Sequence, residues 1–207
     1  MTTPSGSPRG RAAAWTLAGL LLLLAGCVRE APDVQAVRKV SDRYLRALVR
    51  KDVDEARRLA TNVVPMTSVV GGRVLAVGPA EPGRLAVLDS LLDATDRQRR
   101  SVDSLWTRAR EEEADSLFHR LRLLNRRRVV VRCAQRAAQA SLPETLIGGS
   151  AGIELRRVRV LIRYAGERVG PRPVDREMSL RLLRAGRGGW IVFSLYLPAD
   201  DPFPRLD

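Results

Sequence analysis

The chain is poor in the residues that most enzyme and metal sites require. Its 207 residues include one histidine, His119, and two cysteines, Cys27 and Cys133. Zinc or other metal sites built from clustered Cys and His are therefore excluded, and no metal or cofactor is expected. Any Ser–His–Asp triad or Cys–His pair would have to use His119. That residue lies in "EEEADSLFHR", four residues after Asp115, where helical spacing assigns it to a solvated ion pair. Cys133, in "VVVRCAQ", reads as a small buried hydrophobe. No catalytic residue is assigned, and the chain is read as non-enzymatic. Lysine is nearly absent too, Lys39 and Lys51 being the only two, so the formal charge of +13 is almost all arginine. The arginines alternate with acidic residues instead of gathering in one arm, and a GC-rich codon bias accounts for their excess. Nucleic acid is thus not expected as a partner, although attraction to anionic surfaces remains. Aromatics make up only 4 %, so a core must come mainly from Leu, Val and Ala. The uncharged run of residues 12–26, "AAAWTLAGLLLLLAG", is shorter than the roughly 20 residues that cross a bilayer, and Arg29 and Glu30 follow it closely.

What is present begins with that same run. Arg9 and Arg11 precede it, as in the positive and apolar regions of an export signal. It ends in Leu24-Ala25-Gly26-Cys27. This tetrapeptide resembles the bacterial lipoprotein signal: Leu, a small residue, Gly or Ala, then an obligatory Cys. The resemblance implies a signal peptide over residues 1–26, cleavage between Gly26 and Cys27, and acylation of Cys27. Two or more acyl chains hold a protein stably on a membrane, whereas one does so only marginally. It implies a lipid-anchored protein of the bacterial envelope. Val28 in place of Asp favours the outer membrane facing the periplasm in a diderm cell. Residues 27–32 would form a tether of about 15 Å between Val28 and Pro32, keeping the domain near lipid head groups.

Hydrophobic residues are 45 % of the chain, enough for one packed domain. An α+β domain is expected over 33–197, with an acidic, proline-rich tail over 198–207. Val34, Val37, Val40, Tyr44, Leu45 and Leu48 recur at helical spacing. Asp52 is placed to cap a second helix, about Val53 to Thr61, with Glu55 as its capping-box partner. Residues 62–83 are rich in Gly and Pro and read as loop, with a tight hairpin at Val69 to Val74. Residues 84–125 read as a helical hairpin broken at "DRQRRS", Asp96 to Ser101, and the conformation of 129–140 is left open between strand and helix extension. "EEEADS" and "NRRR" read as the acidic start and basic end of a helix, as the macrodipole favours. From residue 153 the period changes to two. Val158, Val160 and Ile162 alternate with Arg157, Arg159 and Arg163. Two further strands join at Gly186 to Gly189, and the last, apolar on both faces, reads as central.

This order, with "YLRALVRKDVDEA" from Tyr44 to Ala56 and the terminal "GGWIVFSLYL", resembles the nuclear-transport-factor-two-like, or cystatin-like, fold. Lys51 stands where that pattern usually has glycine. The resemblance implies helices packed on a C-terminal antiparallel sheet curled into a cone, with 84–125 as an insertion. In a ketosteroid-isomerase relative, a helix-one tyrosine donates to an oxyanion, a role that would fall to Tyr44 beside a pocket. The segment where the base would stand, Thr61 to Ala80, has no Asp or Glu, so isomerase chemistry is disfavoured. The exposed arginines Arg157, Arg159 and Arg163, joined by Arg181, are candidates for contact with anionic lipid or glycolipid. The resulting expectation is a membrane-anchored binding or accessory module whose protein partner is not defined. The alternatives are a pocket enzyme of the same fold and a helical envelope protein holding anionic lipid or polymer through arginines.

Overall fold

The structure is a computed structural model that describes residues 30–62, 66–142, 152–166 and 170–204. The signal segment, Gly26 and Cys27 lie outside the described residues. The chain divides into two units, Met1–Gln35 and Ala36–Asp207. Helix α1 (Pro32–Arg50) begins in the first and continues into the second. It buries Val37, Tyr44, Leu45 and Leu48 of the expected stripe together with Ala47, while Val34 and Val40 are half-buried.

The junction after α1 explains why lysine can replace glycine. Lys51 has φ of 61°, the left-handed conformation that closes many helices. Its N–H donates to the Leu48 carbonyl at 3.3 Å, and the Asp52 N–H donates to the Ala47 carbonyl at 3.0 Å. A side chain at this φ costs about 1 kcal/mol relative to glycine. The Lys51 ammonium offsets that cost by donating to the Met66 and Val69 carbonyls, tying the start of the sheet to the helix end. Asp52 then caps α2 (Val53–Leu59), accepting from the Glu55 N–H at 2.9 Å. The capping box is only half formed. The Asp52 N–H is already engaged, and the Glu55 carboxylate turns to Arg43 at 2.5 Å.

Four strands follow, β1 (Val69–Arg84), β2 (Gly152–Gly166), β3 (Gly170–Ala185) and β4 (Ile191–Tyr196). They form one antiparallel sheet in the order β1-β2-β3-β4. With the helices this is an α+β fold, as expected. The sequence reading of 62–83 as loop and hairpin is corrected by β1. Strand β1 keeps its pairing with β2 through register shifts at 69/71, 74/76 and 77/80. An edge strand tolerates Pro79 and Pro82, because a missing N–H there need not break the ladder. Strand β4 is the other edge, not a central strand. Its apolar faces are both covered within the fold, and Ala60 and Thr61 lie along its open side, where the Thr61 N–H donates to the Val192 carbonyl at 2.9 Å.

Between β1 and β2 the chain forms α3 (Leu85–Trp106) and α4 (Glu111–Ser141). The break lies at residues 107–110, not at Asp96 to Ser101. "DRQRRS" contains no helix breaker, and Asp96 pairs with Arg128 of α4 at 2.6 Å, bracing the two helices together. The open segment 129–140 is helix. The run "NRRR" therefore sits in the middle of α4, although Glu111, Glu112 and Glu113 do open it. Each face of the sheet buries a separate core. Val158, Val160, Ile162, Leu180 and Leu182 pack with α1 and α2. Ile153, Leu155, Leu183 and Phe193 pack with Leu88 of α3 and the small-residue stretch Cys133, Ala134, Ala137 and Ala138 of α4. The end of α4 is fastened by Ser141, whose Oγ accepts from the Ala185 N–H at 2.8 Å. A Cβ on Gly188 would fall 1.6 Å from the Ser141 carbonyl oxygen, so only glycine permits this approach.

Candidate functional site

The arginines singled out by alternation do share one face, but their surroundings differ. Arg157, Arg159 and Arg163 are exposed. Arg163 pairs with Asp175 directly across the strands, Nε to carboxylate 2.7 Å, and Arg159 pairs diagonally with Glu177 at 2.6 Å. Both are two-point pairs, each guanidinium giving a second hydrogen bond. The Arg163 hydrogen bonds hold the Asp175 carboxyl below its ordinary range, and those of Arg159 do the same for Glu177. Arg157 alone has no ion-pair partner among the described residues.

Arg181 requires a correction, because it is not a surface residue. It is 1 % exposed, roofed by the tail that follows β4. Its Nε donates to the Asp201 carboxylate at 2.7 Å, while the Glu81 carboxylate stands 3.8 Å from Nη1. Its guanidinium lies 5.2 Å from the Phe203 ring centroid, and Phe203 meets Phe193 edge-on at 5.0 Å. The tail thus supplies an internal carboxylate, so the four-arginine ladder is not available to an external anion. Strand alternation reported the face of Arg181 correctly and could not report what covers it.

The other sequence candidates separate in space. Tyr44 is fully buried in the core formed with α1 and α2. Cys133 is buried, and burial pushes its thiol up, against the pull of nearby Arg136. His119 and Asp115 are both on the exposed surface of α4. Among the described residues no group of three His, Cys, Asp or Glu side chains could share a metal ion. No described helix is long and apolar enough to cross a membrane.

The site that sequence reasoning missed lies under α4. The stretch from Val130 to Ser141, at the end of this 31-residue helix, carries every buried position except Leu121. The part before it buries only Leu121 and so overhangs the core. Phe118, Leu121, Arg122, Asn125, Arg126 and Val129 follow one stripe at helical spacing and line a cleft of about 520 Å³. Trp106, at the end of α3, and Tyr196, at the end of β4, complete the lining. Trp106 and Phe118 stand 6.5 Å apart and are 42 % and 57 % exposed. Large aromatics left open together are uncommon on a soluble surface and mark binding sites. Arg122 and Arg126 have no ion-pair partner among the described residues, and burial pushes the Tyr196 phenol up, against the pull of Arg126. The mixed apolar and basic stripe was legible in the sequence, but it cancels in any hydrophobic average over α4. Compared with known proteins, the chain matches no protein family, no curated protein and no solved structure.

Proposed function

We propose that this protein is a bacterial envelope lipoprotein, held on the membrane by acylated Cys27, whose α+β domain is a non-enzymatic binding or accessory module. The observation that carries the reading is Leu24-Ala25-Gly26-Cys27 directly after an uncharged run of signal-peptide length. The diacylated cysteine is the membrane contact, in the outer membrane facing the periplasm where the cell has two membranes. A nuclear-transport-factor-two-like domain is supported by the element order: a helix pair, then strands in sequential antiparallel order, with α3 and α4 inserted between the first two. The non-enzymatic reading is supported by the buried thiol of Cys133 and by the arginine partners of Asp175 and Glu177.

The test is a Cys27→Ala chain expressed in a bacterial host beside the natural one. Labelled palmitate should enter the natural chain only, and mass spectrometry should find its mature N-terminus at a modified Cys27. The variant should accumulate with residues 1–26 attached. A variant that is processed identically and fractionates with the membrane would overturn the reading.

A further inference from the structure

We propose that the cleft beneath the overhanging part of α4 binds a single-chain anionic amphiphile, its apolar chain against Trp106 and Phe118 and its head group between Arg122 and Arg126. The size fits, because about 520 Å³ lies within the 300–1,000 Å³ typical of small-molecule sites. The chemistry fits as well. Four of the lining residues on α3 and α4 are apolar, whereas the polar groups are concentrated in Arg122, Asn125, Arg126 and Tyr196. Arg122 and Arg126 are one helical turn apart, so their guanidinium groups can converge on one phosphate or carboxylate. Asn125 and the Tyr196 hydroxyl add neutral donors to the same anion.

Charge decides between this occupant and the alternatives. A second copy docking by twofold symmetry would bring Arg122 and Arg126 near the same arginines of its mate, with like charges opposed. A flat anionic bilayer would meet the exposed Glu111, Glu112 and Glu113 that begin α4, which outnumber the neighbouring Arg108 and Arg110, and would be held off by that acidic excess. A single amphiphile avoids both difficulties. Its head reaches the arginines, which lie 11 and 15 residues beyond Glu111, or about 16 and 22 Å along the helix.

The full chain, labelled with 5-fluorotryptophan and held in phosphatidylcholine nanodiscs, allows a direct test by fluorine NMR. Trp106→Phe assigns the signal of Trp106 apart from those of Trp15 and Trp190. Dodecyl phosphate should shift the Trp106 signal saturably and leave that of buried Trp190 in place, while neutral dodecyl maltoside at equal concentration should not. Arg122→Gln with Arg126→Gln should raise the half-saturating concentration by at least about tenfold. Phe118→Ala should weaken binding without loss of helix, because Phe118 is exposed. Equal response to the neutral and anionic amphiphiles, or no effect of the arginine pair, would overturn the proposal. So would a matching response to inorganic phosphate alone, or to phosphatidylglycerol discs with nothing added. The discs retain the chain through an acylated Cys27 or through residues 12–26, so failure here leaves the anchoring proposal untouched.

Discussion

Replacing Asp201 with alanine should destabilise the domain by about 3 kcal/mol, a value set by two competing routes. In a rigid site, Arg181 would keep its charge at 1 % exposure, with Glu81, 3.8 Å from Nη1, as its remaining carboxylate neighbour among the described residues. Breaking a buried pair in that way costs about 3–5 kcal/mol. The tail offers a second route. If residues 198–204 lift away, water reaches Arg181, and the loss is the burial of Phe203 plus its edge-on contact with Phe193. Phe203 is 4 % exposed, so its burial is worth about 2 kcal/mol and the aromatic contact about 1 kcal/mol. The cheaper route sets the ceiling. Ending the chain after Leu197 should therefore cost about the same 3 kcal/mol, since it removes the same contacts. Arg181→Met with Asp201→Leu should recover most of the stability, because neither charge remains to be buried. Urea unfolding of the full chain, followed by far-ultraviolet circular dichroism, should show midpoints lowered by roughly 1.5 M at a slope near 2 kcal/mol/M. A loss below about 1 kcal/mol for Asp201→Ala would refute the buried-pair reasoning. A loss well beyond that of the truncation would refute the ceiling.

Two further predictions concern the strained junction and the sheet surface. Lys51→Gly removes both the left-handed strain and the ammonium bonds to Met66 and Val69, whereas Lys51→Ala removes only the bonds. The glycine variant should thus be the more stable of the two by about 1 kcal/mol in thermal melts, and the opposite order would refute the strain. The folded-state carboxyls of Asp175 and Glu177 are depressed below ordinary values of 3.8 and 4.5. Their ion pairs contribute fully above those values, and the contribution is lost as pH falls through the lower folded values. Carbon-13 NMR should show both titrating low, with Arg163→Gln returning Asp175 towards its ordinary range and leaving Glu177 unchanged.

Local signals carried much of the fold. The stripe on α1, the Asp52 cap and the alternation in β2 are nearest-neighbour patterns, and each appears where the residues placed it. The errors arose where the same local signal has two tertiary meanings. Gly71, Gly72, Pro79 and Pro82 read as loop, yet they belong to a bulged edge strand that relies on β2 for its pairing. The apolar residues of β4 read as a central strand, although helices and tail cover its faces at an edge. "DRQRRS" is polar because Arg97, Gln98, Arg100 and Ser101 are exposed and Asp96 pairs with Arg128, not because the helix ends there.

The sequence by itself determined the Leu24-Ala25-Gly26-Cys27 motif on which the anchoring proposal rests, the scarcity of His and Cys, and the periodicities that specify an α+β domain, because each depends on residues close together in the chain. Only the tertiary structure decided the fate of the arginines. Arg159 and Arg163 are neutralised by carboxylates 18 and 12 residues away, Arg181 is sealed under Asp201, and Arg122 and Arg126 have no ion-pair partner among the described residues and line an open cleft. A charge acts through what lies within a few ångströms of it, and for these residues that neighbourhood is assembled by the sheet register, the tail and the overhang of α4.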